Sequence, residues 1–417
     1  MTHQPMFNSK RLGWTLAATA AAVLAPTAPR AVEITAGDWK FSATGNVNAH
    51  YITSRCDDTP VAVGGGLACT AGPGTDRTSA SVSNGLLPAA LALSASTTQS
   101  GYDIAATFGF YPGISTNDGS PNIQQGVSPA FQNTGLGTTA IDMRQVFLTF
   151  GNDSMGTFLL GRNIGLFGAD AILGDMTLLG VGTVGSNAAP ANTSLGSIGL
   201  GYIYTDWLAQ IDYTTPNISG FKFTVGVFDP LEPTGLVVAG VGPTNKSSPG
   251  FHGKVAWTVN DNLYFSASGL SQKQKGATSA GDFDSWAFDI GGKWKAGPVE
   301  VLGWYYKGSG VGTTALFFDA SNGAGNERDS DGFLAQVTYT IDKTKLGLNY
   351  GESKLDTASG EVNPTLVQKN SKYTLGVYHK LTENLTLLGE FTDTKAEAQN
   401  GGENKSKSFN VGAFLAF

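Results

Sequence analysis

The chain has 417 residues, of which 56 are Gly and only 14% are charged. Soluble proteins usually carry about 25% charged residues, so this composition favours one large β structure over several soluble domains. The formal net charge is −7. An acidic chain without a basic patch argues against nucleic acid as a partner.

Residues 1–31 read as a secretory signal peptide, with cleavage somewhere between residues 25 and 31. Lys10 and Arg11 form its positive start, and the apolar run that follows ends at Ala25. A membrane anchor is the alternative, but the run is shorter than the roughly 20 residues that a spanning helix needs. Removing the segment takes away three of the 26 basic residues and none of the 33 acids, so the net charge becomes −10.

The mature chain, 32–417, is predicted to form one β-barrel domain. Apolar and polar residues alternate over stretches of about ten positions, and short and long breaks between the stretches take turns. This rhythm is typical of an all-β transmembrane antiparallel barrel, here of about sixteen strands. The predicted strands are 39–51, 86–96, 102–110, 143–150, 156–162, 198–213, 221–228, 251–259, 263–268, 283–295, 299–307, 333–340, 346–350, 371–380, 384–395 and 409–417.

The long break after Arg162 is predicted to fold back into the barrel. It is Gly-rich and continues to about Gly196, which is too long for a turn, and it is too apolar for a plain solvent loop. Long connections without regular structure are uncommon in compact proteins and are usually functional.

The two cysteines, Cys56 and Cys69, both lie in the first long loop, predicted over 52–83. An exported chain meets an oxidising compartment, so a disulfide between them is expected, with two free thiols as the alternative. A metal site is not expected, because Asp57 and Asp58 are the only candidate ligands close to the cysteines and the loop has no His.

The last nine residues end at Phe417 and place five apolar side chains on one face, as a lipid-facing closing strand would. They also resemble the C-terminal assembly signal of outer-membrane barrel proteins. An ordinary core strand is the alternative reading.

With this strand count, the signal peptide, Phe417 and the sequence Gly161-Arg162-Asn163 before the long segment, the chain resembles the Gram-negative general porins. The likeness is strongest over 141–182 and at the C-terminus. It implies a homotrimer in the bacterial outer membrane, in contact with lipid and with the barrel assembly machinery. It also implies a water-filled channel for passive diffusion of ions and small hydrophilic solutes.

In that family the third outer loop folds inward and narrows the pore, and its acids face basic residues on the wall. Carried over to this chain, the acids are Asp170 and Asp175, and the wall cations are Arg162 and Arg144. Rings or rows of charge at a narrow point select ions. The alternative role for each of these charges is a salt bridge or hydrogen bond that fixes the loop to the wall.

The chain departs from the family in having no Lys or Arg over 83–112. Other wall cations are therefore candidates, namely Lys40, Lys222, Lys254 and Lys293. The loop is also apolar, which predicts a partly hydrophobic constriction; its apolar residues are Ile172, Leu173, Met176, Leu178 and Leu179.

No enzyme, cofactor or metal site is expected. Neither G-x-S-x-G nor H-E-x-x-H occurs, and the histidines of the mature chain, His50, His252 and His379, lie on distant predicted strands. Two other functions stay open: a substrate-selective porin with a binding site at the constriction, and a secreted or outer-membrane structural or adhesive β protein. The charge of −10 suggests a mild cation preference at the mouth, but the charges at the constriction decide ion preference.

Overall fold

A computed structural model of the protein describes residues 31–57, 61–71, 76–114, 141–183, 193–232, 248–275 and 281–417. Almost all of the predicted signal peptide lies outside these residues, and so does most of the break between the strands predicted over 102–110 and 143–150. No helix in the described ranges is long and apolar enough to cross a membrane.

All strands of the described residues belong to one antiparallel sheet. Their bounds are β1 (Val32–Ala36), β2 (Trp39–Arg55), β3 (Thr78–Ser83), β4 (Ala90–Gln99), β5 (Tyr102–Pro112), β6 (Ile141–Asn152), β7 (Gly156–Ile164), β8 (Trp207–Thr214), β9 (Phe221–Phe228), β10 (Gly250–Asn260), β11 (Leu263–Gln274), β12 (Phe283–Ala296), β13 (Val299–Ser309), β14 (Asp329–Ile341), β15 (Thr344–Leu355), β16 (Val367–Lys380), β17 (Leu385–Ala398) and β18 (Glu403–Ala416).

The sheet closes on itself, because β9 pairs with β10 and β18 pairs with β2. One edge of β2 pairs with β1 near its start and with β18 further along. The other edge of β2 pairs with β4 near its start and with β3 near its end. β1 and β18 therefore share one position in the barrel, and β3 and β4 share another, so the 18 strands occupy 16 positions. The predicted antiparallel barrel of about sixteen strands is confirmed.

The two faces of the barrel have the opposite polarity to those of a soluble protein. On the outer face Leu348 is the cross-strand partner of both Val337 and Leu375, and Val337, Leu348 and Leu375 are 42%, 44% and 50% exposed. The inner face of the same strands is buried and polar, with Asn349 and Thr374 both at 0% exposure. A soluble sandwich would hide the apolar face, so the exposed apolar face identifies a surface made for lipid.

The strand predicted over 198–213 is mostly wrong. Only Trp207–Thr214 forms a strand, although Ile198, Leu200 and Tyr202 alternate as strand residues do. Gly199 and Gly201 between them have φ of 73° and 148°, which an extended strand does not use. All three apolar side chains are buried and form part of an internal cluster.

The first loop is shorter than predicted, because β2 continues to Arg55 and β3 begins at Thr78. Cys56 and Cys69 are joined by a disulfide, and both are buried. The loop backbone is bonded to the polar face of the barrel: the Leu67 N–H donates to Asn370 Oδ1 (2.9 Å) and the Cys69 N–H donates to Ser406 Oγ (3.1 Å).

The C-terminus meets the first long strand at Gly45. The Phe417 N–H donates to the Gly45 carbonyl at 2.9 Å, and the Gly45 N–H donates back at 2.8 Å. A Cβ at Gly45 would lie 2.3 Å from the Ala90 carbonyl oxygen and 2.8 Å from the Phe417 ring. Glycine at this position therefore permits the close approach that seats Phe417.

Replacing Leu348 by Arg places a charge in the apolar outer face near the middle of β15. We expect the free energy of unfolding to fall by about 2–4 kcal/mol, the cost of a cation at the bilayer midplane. Reversible urea unfolding in phospholipid vesicles measures it, with Leu348→Met as the control. An unchanged free energy of unfolding would contradict a lipid-facing surface here.

Candidate functional site

The segment between β7 and β8 is described over residues 165–183 and 193–206. These residues carry short helices and lie against the polar face of the barrel. It contains α1 (Ala169–Gly174) and a one-turn 3-10 helix, Met176–Leu179. Gly168 precedes α1 with φ of 76°, a conformation that glycine adopts without strain. Asp175 ends α1 and caps the next turn, accepting from the Thr177 N–H at 2.9 Å.

Two polar residues of the strands hold the start of this segment. Asp289 on β12 accepts the Gly168 N–H at 2.6 Å and also the Ser268 hydroxyl at 2.6 Å. Gln336 on β14 accepts the Met176 N–H at 2.6 Å and donates to the Gly174 carbonyl at 3.1 Å. Both ends of α1 are thus bonded to the barrel wall.

A buried pair of opposite charges holds the following residues. Glu390 on β17 accepts the N–H groups of Val181 (2.9 Å) and Gly182 (3.0 Å). Lys372 on β16 donates to the carbonyls of Gly182 (2.5 Å) and Gly196 (2.6 Å). The two side chains are 1% and 2% exposed. Each charge therefore bonds to loop backbone, which makes this Lys372–Glu390 clamp a second anchor.

Asp175, a predicted pore-lining acid, is 3% exposed. One carboxylate oxygen accepts the Tyr202 hydroxyl at 2.9 Å and the Ser197 N–H at 3.1 Å. The other oxygen accepts the Thr177 hydroxyl at 2.8 Å. That oxygen also accepts from Asn349 Nδ2 on β15 at 3.3 Å. These bonds join the two described parts of the segment to each other and to the barrel wall, so the structure gives Asp175 a fixing role.

Asp170, the second predicted acid, bonds directly to the wall in the first turn of α1. It accepts from Lys254 Nζ at 3.2 Å, the Tyr264 hydroxyl at 2.8 Å and the Ser266 hydroxyl at 2.6 Å. Burial by itself would raise the pKa of Asp170, but the Lys254 ammonium and the two hydroxyl donors outweigh burial and lower that pKa. The carboxylate is therefore ionised at neutral pH.

Arg144, a predicted wall cation, is 5% exposed. Its Nε donates to Asp142 at 2.8 Å, and its guanidinium lies 5.4 Å from the Tyr111 ring centroid and 5.9 Å from that of Trp207. In the pairing of β5 and β6 the register shifts, so that Gln145 pairs with Gly109 and Met143 with Phe110, as in a β-bulge. The bulge brings Arg144 to the polar face near the start of β6.

Arg162, the other predicted wall cation, does not join this group. Its cross-strand partners are Val146 and Ala209, and the exposed Ile211 lies on the same face two residues on. The side chain is itself exposed. The structure therefore places Arg162 on the outer face, away from Arg144, Asp170 and Asp175.

Apolar contacts complete the attachment of the segment. Ile172 and Leu178 are buried in one cluster with Leu302, Trp304 and Leu334, which lie on the inward face of β13 and β14. The predicted apolar residues of the loop thus pack on the wall, and they bury area that favours the observed position by about 25 cal/mol per Å².

Sequence reasoning missed the anchors Asp289, Gln336, Lys372 and Glu390. Each is a polar residue at a strand position whose side chain faces inward. Glu390 carried the clearest signal, because a carboxylate between Gly389 and Phe391 interrupts an otherwise apolar stretch. A buried charge of this kind needs partners, which a single sequence does not identify.

Replacing Glu390 by Gln removes a charged acceptor and introduces an NH₂ group that cannot accept. We expect the amides of Val181 and Gly182 to exchange with solvent about tenfold to a hundredfold faster, since hydrogen bonds to charged groups contribute about 1.5–3 kcal/mol. Hydrogen exchange with mass spectrometry measures it. Glu397→Gln, a partly exposed rim carboxylate, is the control, and unchanged protection in Glu390→Gln would refute the anchoring role.

The sequence matches the family model of the Gram-negative porins over residues 15–399. Among solved structures the fold is similar to the outer-membrane channel DcaP of Acinetobacter baumannii, with TM-score 0.66 and 14% identity over 92% of this chain and 99% of that one. It is also similar to the anion-selective porin from Comamonas acidovorans, with TM-score 0.62 and 14% identity over 91% and 100%.

A third similar structure is the trimer form of OmpT from Vibrio cholerae, with TM-score 0.54 and 14% identity over 91% of this chain and 99% of that chain. No curated protein sequence matches the chain. At these identities the structural likenesses establish the fold, and the family match covers most of the chain. The chain belongs to the Gram-negative porin family, as an integral outer-membrane β-barrel that forms a channel for the passive diffusion of solutes.

Proposed function

We propose that the described parts of this segment, residues 165–183 and 193–206, lie inside the barrel and narrow the channel. Its support is the set of hydrogen bonds from the segment to Asp289, Gln336, Lys372 and Glu390. These four side chains come from β12, β14, β16 and β17 and all lie on the face opposite the exposed apolar surface. A segment bonded to that face on four strands occupies cross-section that would otherwise be open to water.

The channel prefers small anions over cations in this proposal. The supporting observation is a row of lysines on β9 to β16 at positions whose side chains face inward. They lie at the strand ends that are joined by short turns, and such turns are periplasmic in this class of barrel. The row consists of Lys222, Lys293, Lys295, Lys345 and Lys380. None of the five forms an ion pair within the described residues. Lys345 lies over the Tyr378 ring at 4.8 Å.

Acids are fewer on the same part of the wall. Glu300 is the one carboxylate on the inward-facing parity at these strand ends of β9 to β16, in the described ranges. The turns beyond them carry Asp261, Asp342 and Glu383, which are exposed and therefore more strongly screened by salt. Charges on the channel wall act at shorter range on a passing ion, so the lysines set the preference.

Reversing two of these charges tests the preference. In a planar lipid bilayer under a potassium chloride gradient, the reversal potential of the refolded protein should show chloride preferred over potassium. Lys293→Glu combined with Lys345→Glu should lower the chloride-to-potassium permeability ratio by at least about twofold, because each substitution exchanges attraction for repulsion of the anion.

The matched control is Lys354→Glu, on the outer face and 46% exposed, which should leave the ratio unchanged. A wild-type protein that prefers potassium would contradict the proposal. So would an equal change of the ratio in the control and in the double variant.

The assembled form in this proposal is a homotrimer, as in the trimer form of OmpT, surrounded by outer-membrane lipid. Phe417 acts as the signal that the barrel assembly machinery recognises. The protein is a channel without enzymatic activity. Because inward side chains on many strands are buried, the passage is narrow, and this favours selection among small solutes over unrestricted diffusion.

A further inference from the structure

The contact between Asp170 and the wall differs from the other anchors described for residues 165–183 and 193–206. The clamp residues Lys372 and Glu390 are 2% and 1% exposed. In contrast, the side chains of Lys254 and Asp170 are 22% and 16% exposed. In the described part of the chain this is the ion pair that joins the segment to a strand, and it borders solvent. A solute in the channel can therefore reach Lys254 and the Asp170 carboxylate.

The groups around that carboxylate have the chemistry of a carboxylate receptor. Lys254 supplies an ammonium to Oδ1, while the hydroxyls of Tyr264 and Ser266 donate to Oδ2. All three lie on β10 and β11, whereas Asp170 arrives from α1. The receptor thus belongs to the wall, and its present ligand is a side chain of the loop.

Two further lysines flank the receptor. Lys222 on β9 lies two residues from Thr224, the cross-strand partner of Lys254, which places the two lysine Cα atoms as diagonal neighbours, roughly 7–8 Å apart in an antiparallel pair. Lys293 on β12 is the cross-strand partner of Tyr264. Both flanking cations raise the concentration of anions beside the receptor.

We propose that Lys254, Tyr264 and Ser266 form a carboxylate-binding site on the channel wall, which Asp170 occupies as a tethered ligand and which small organic carboxylates occupy in its place during permeation. The inference rests on the proposed anion preference and adds a substrate class and a location to it. Exchange needs only rotation of the Asp170 side chain, since the backbone of α1 is held separately by Asp289 and Gln336.

This arrangement is distinct from a transverse field, in which loop acids and wall cations face each other across open water. Here the acid touches the cation at 3.2 Å, so the pair leaves little field across the passage. A tethered ligand competes at an effective concentration on the order of millimolar or above. Free carboxylates therefore bind weakly and leave quickly, as conduction requires.

The test compares gluconate with sorbitol, a neutral polyol of the same carbon chain, as inhibitors of potassium chloride current through the refolded protein in planar bilayers. In Asp170→Asn the half-inhibiting gluconate concentration should fall about tenfold, corresponding to about 1.4 kcal/mol. Inhibition by sorbitol should not change. Adding Lys254→Met to Asp170→Asn should abolish the gain.

Asp282→Asn is the control, because it removes the same charge from the partly exposed Lys275–Asp282 pair outside the receptor. Unchanged gluconate inhibition in Asp170→Asn, with chloride still preferred by the wild type, would overturn the tethered-ligand site and leave the proposed anion preference standing. Equal gains for gluconate and sorbitol would also overturn it, because Asp170 would then act only as a steric pin. A wild-type protein that does not prefer chloride would instead contradict the proposed anion preference itself.

Discussion

The structure depends on the need to pair every backbone N–H and C=O group where no water is available. A sheet satisfies this need in hydrocarbon only when it has no edges, and the pairings of β9 with β10 and of β18 with β2 remove them. Closure then separates an outer face, where Leu348 and its neighbours meet lipid, from an inner face that can be polar. The polar face supplies the buried donors and acceptors to which residues 165–183 and 193–206 are bonded.

Strand alternation made the barrel predictable, because residues two apart share a face and lipid selects one of the two faces. The same rule places Arg162 outside, since Phe158 and Leu160 before it occupy the same parity on β7; the family resemblance had placed it in the pore. Alternation alone would place Arg144 outside with Val146, but a bulge brings it to the polar face, the side that the family resemblance implies. The strand predicted from Ile198 was mostly wrong, because an alternation pattern does not reveal that two intervening glycines adopt positive φ.

The inner contacts were less predictable than the wall. Asp170 and Asp175 carry the same side chain five residues apart. Asp170 bonds to a wall lysine at the edge of solvent, whereas Asp175 is buried and bonds to its own segment and to Asn349. Which role each takes depends on where α1 ends, and α1 is positioned by Gln336 and Asp289 from distant strands. Long-range partners of this kind decide between a solute-facing charge and a structural one. Removing one partner of a buried charge generally costs about 3–5 kcal/mol, so such anchors tolerate few substitutions.

The hydrogen bonds between Phe417 and Gly45 also bear on the rate at which the barrel closes. The closing pair of the barrel joins the first long strand to the last residues of the chain, so the most distant parts of the sequence must meet before either edge is covered. Contacts of such large sequence separation form slowly. Until β18 is paired with β2, the folding sheet keeps two open edges that could pair with other chains. Closure of the barrel is thereby coupled to protection from aggregation.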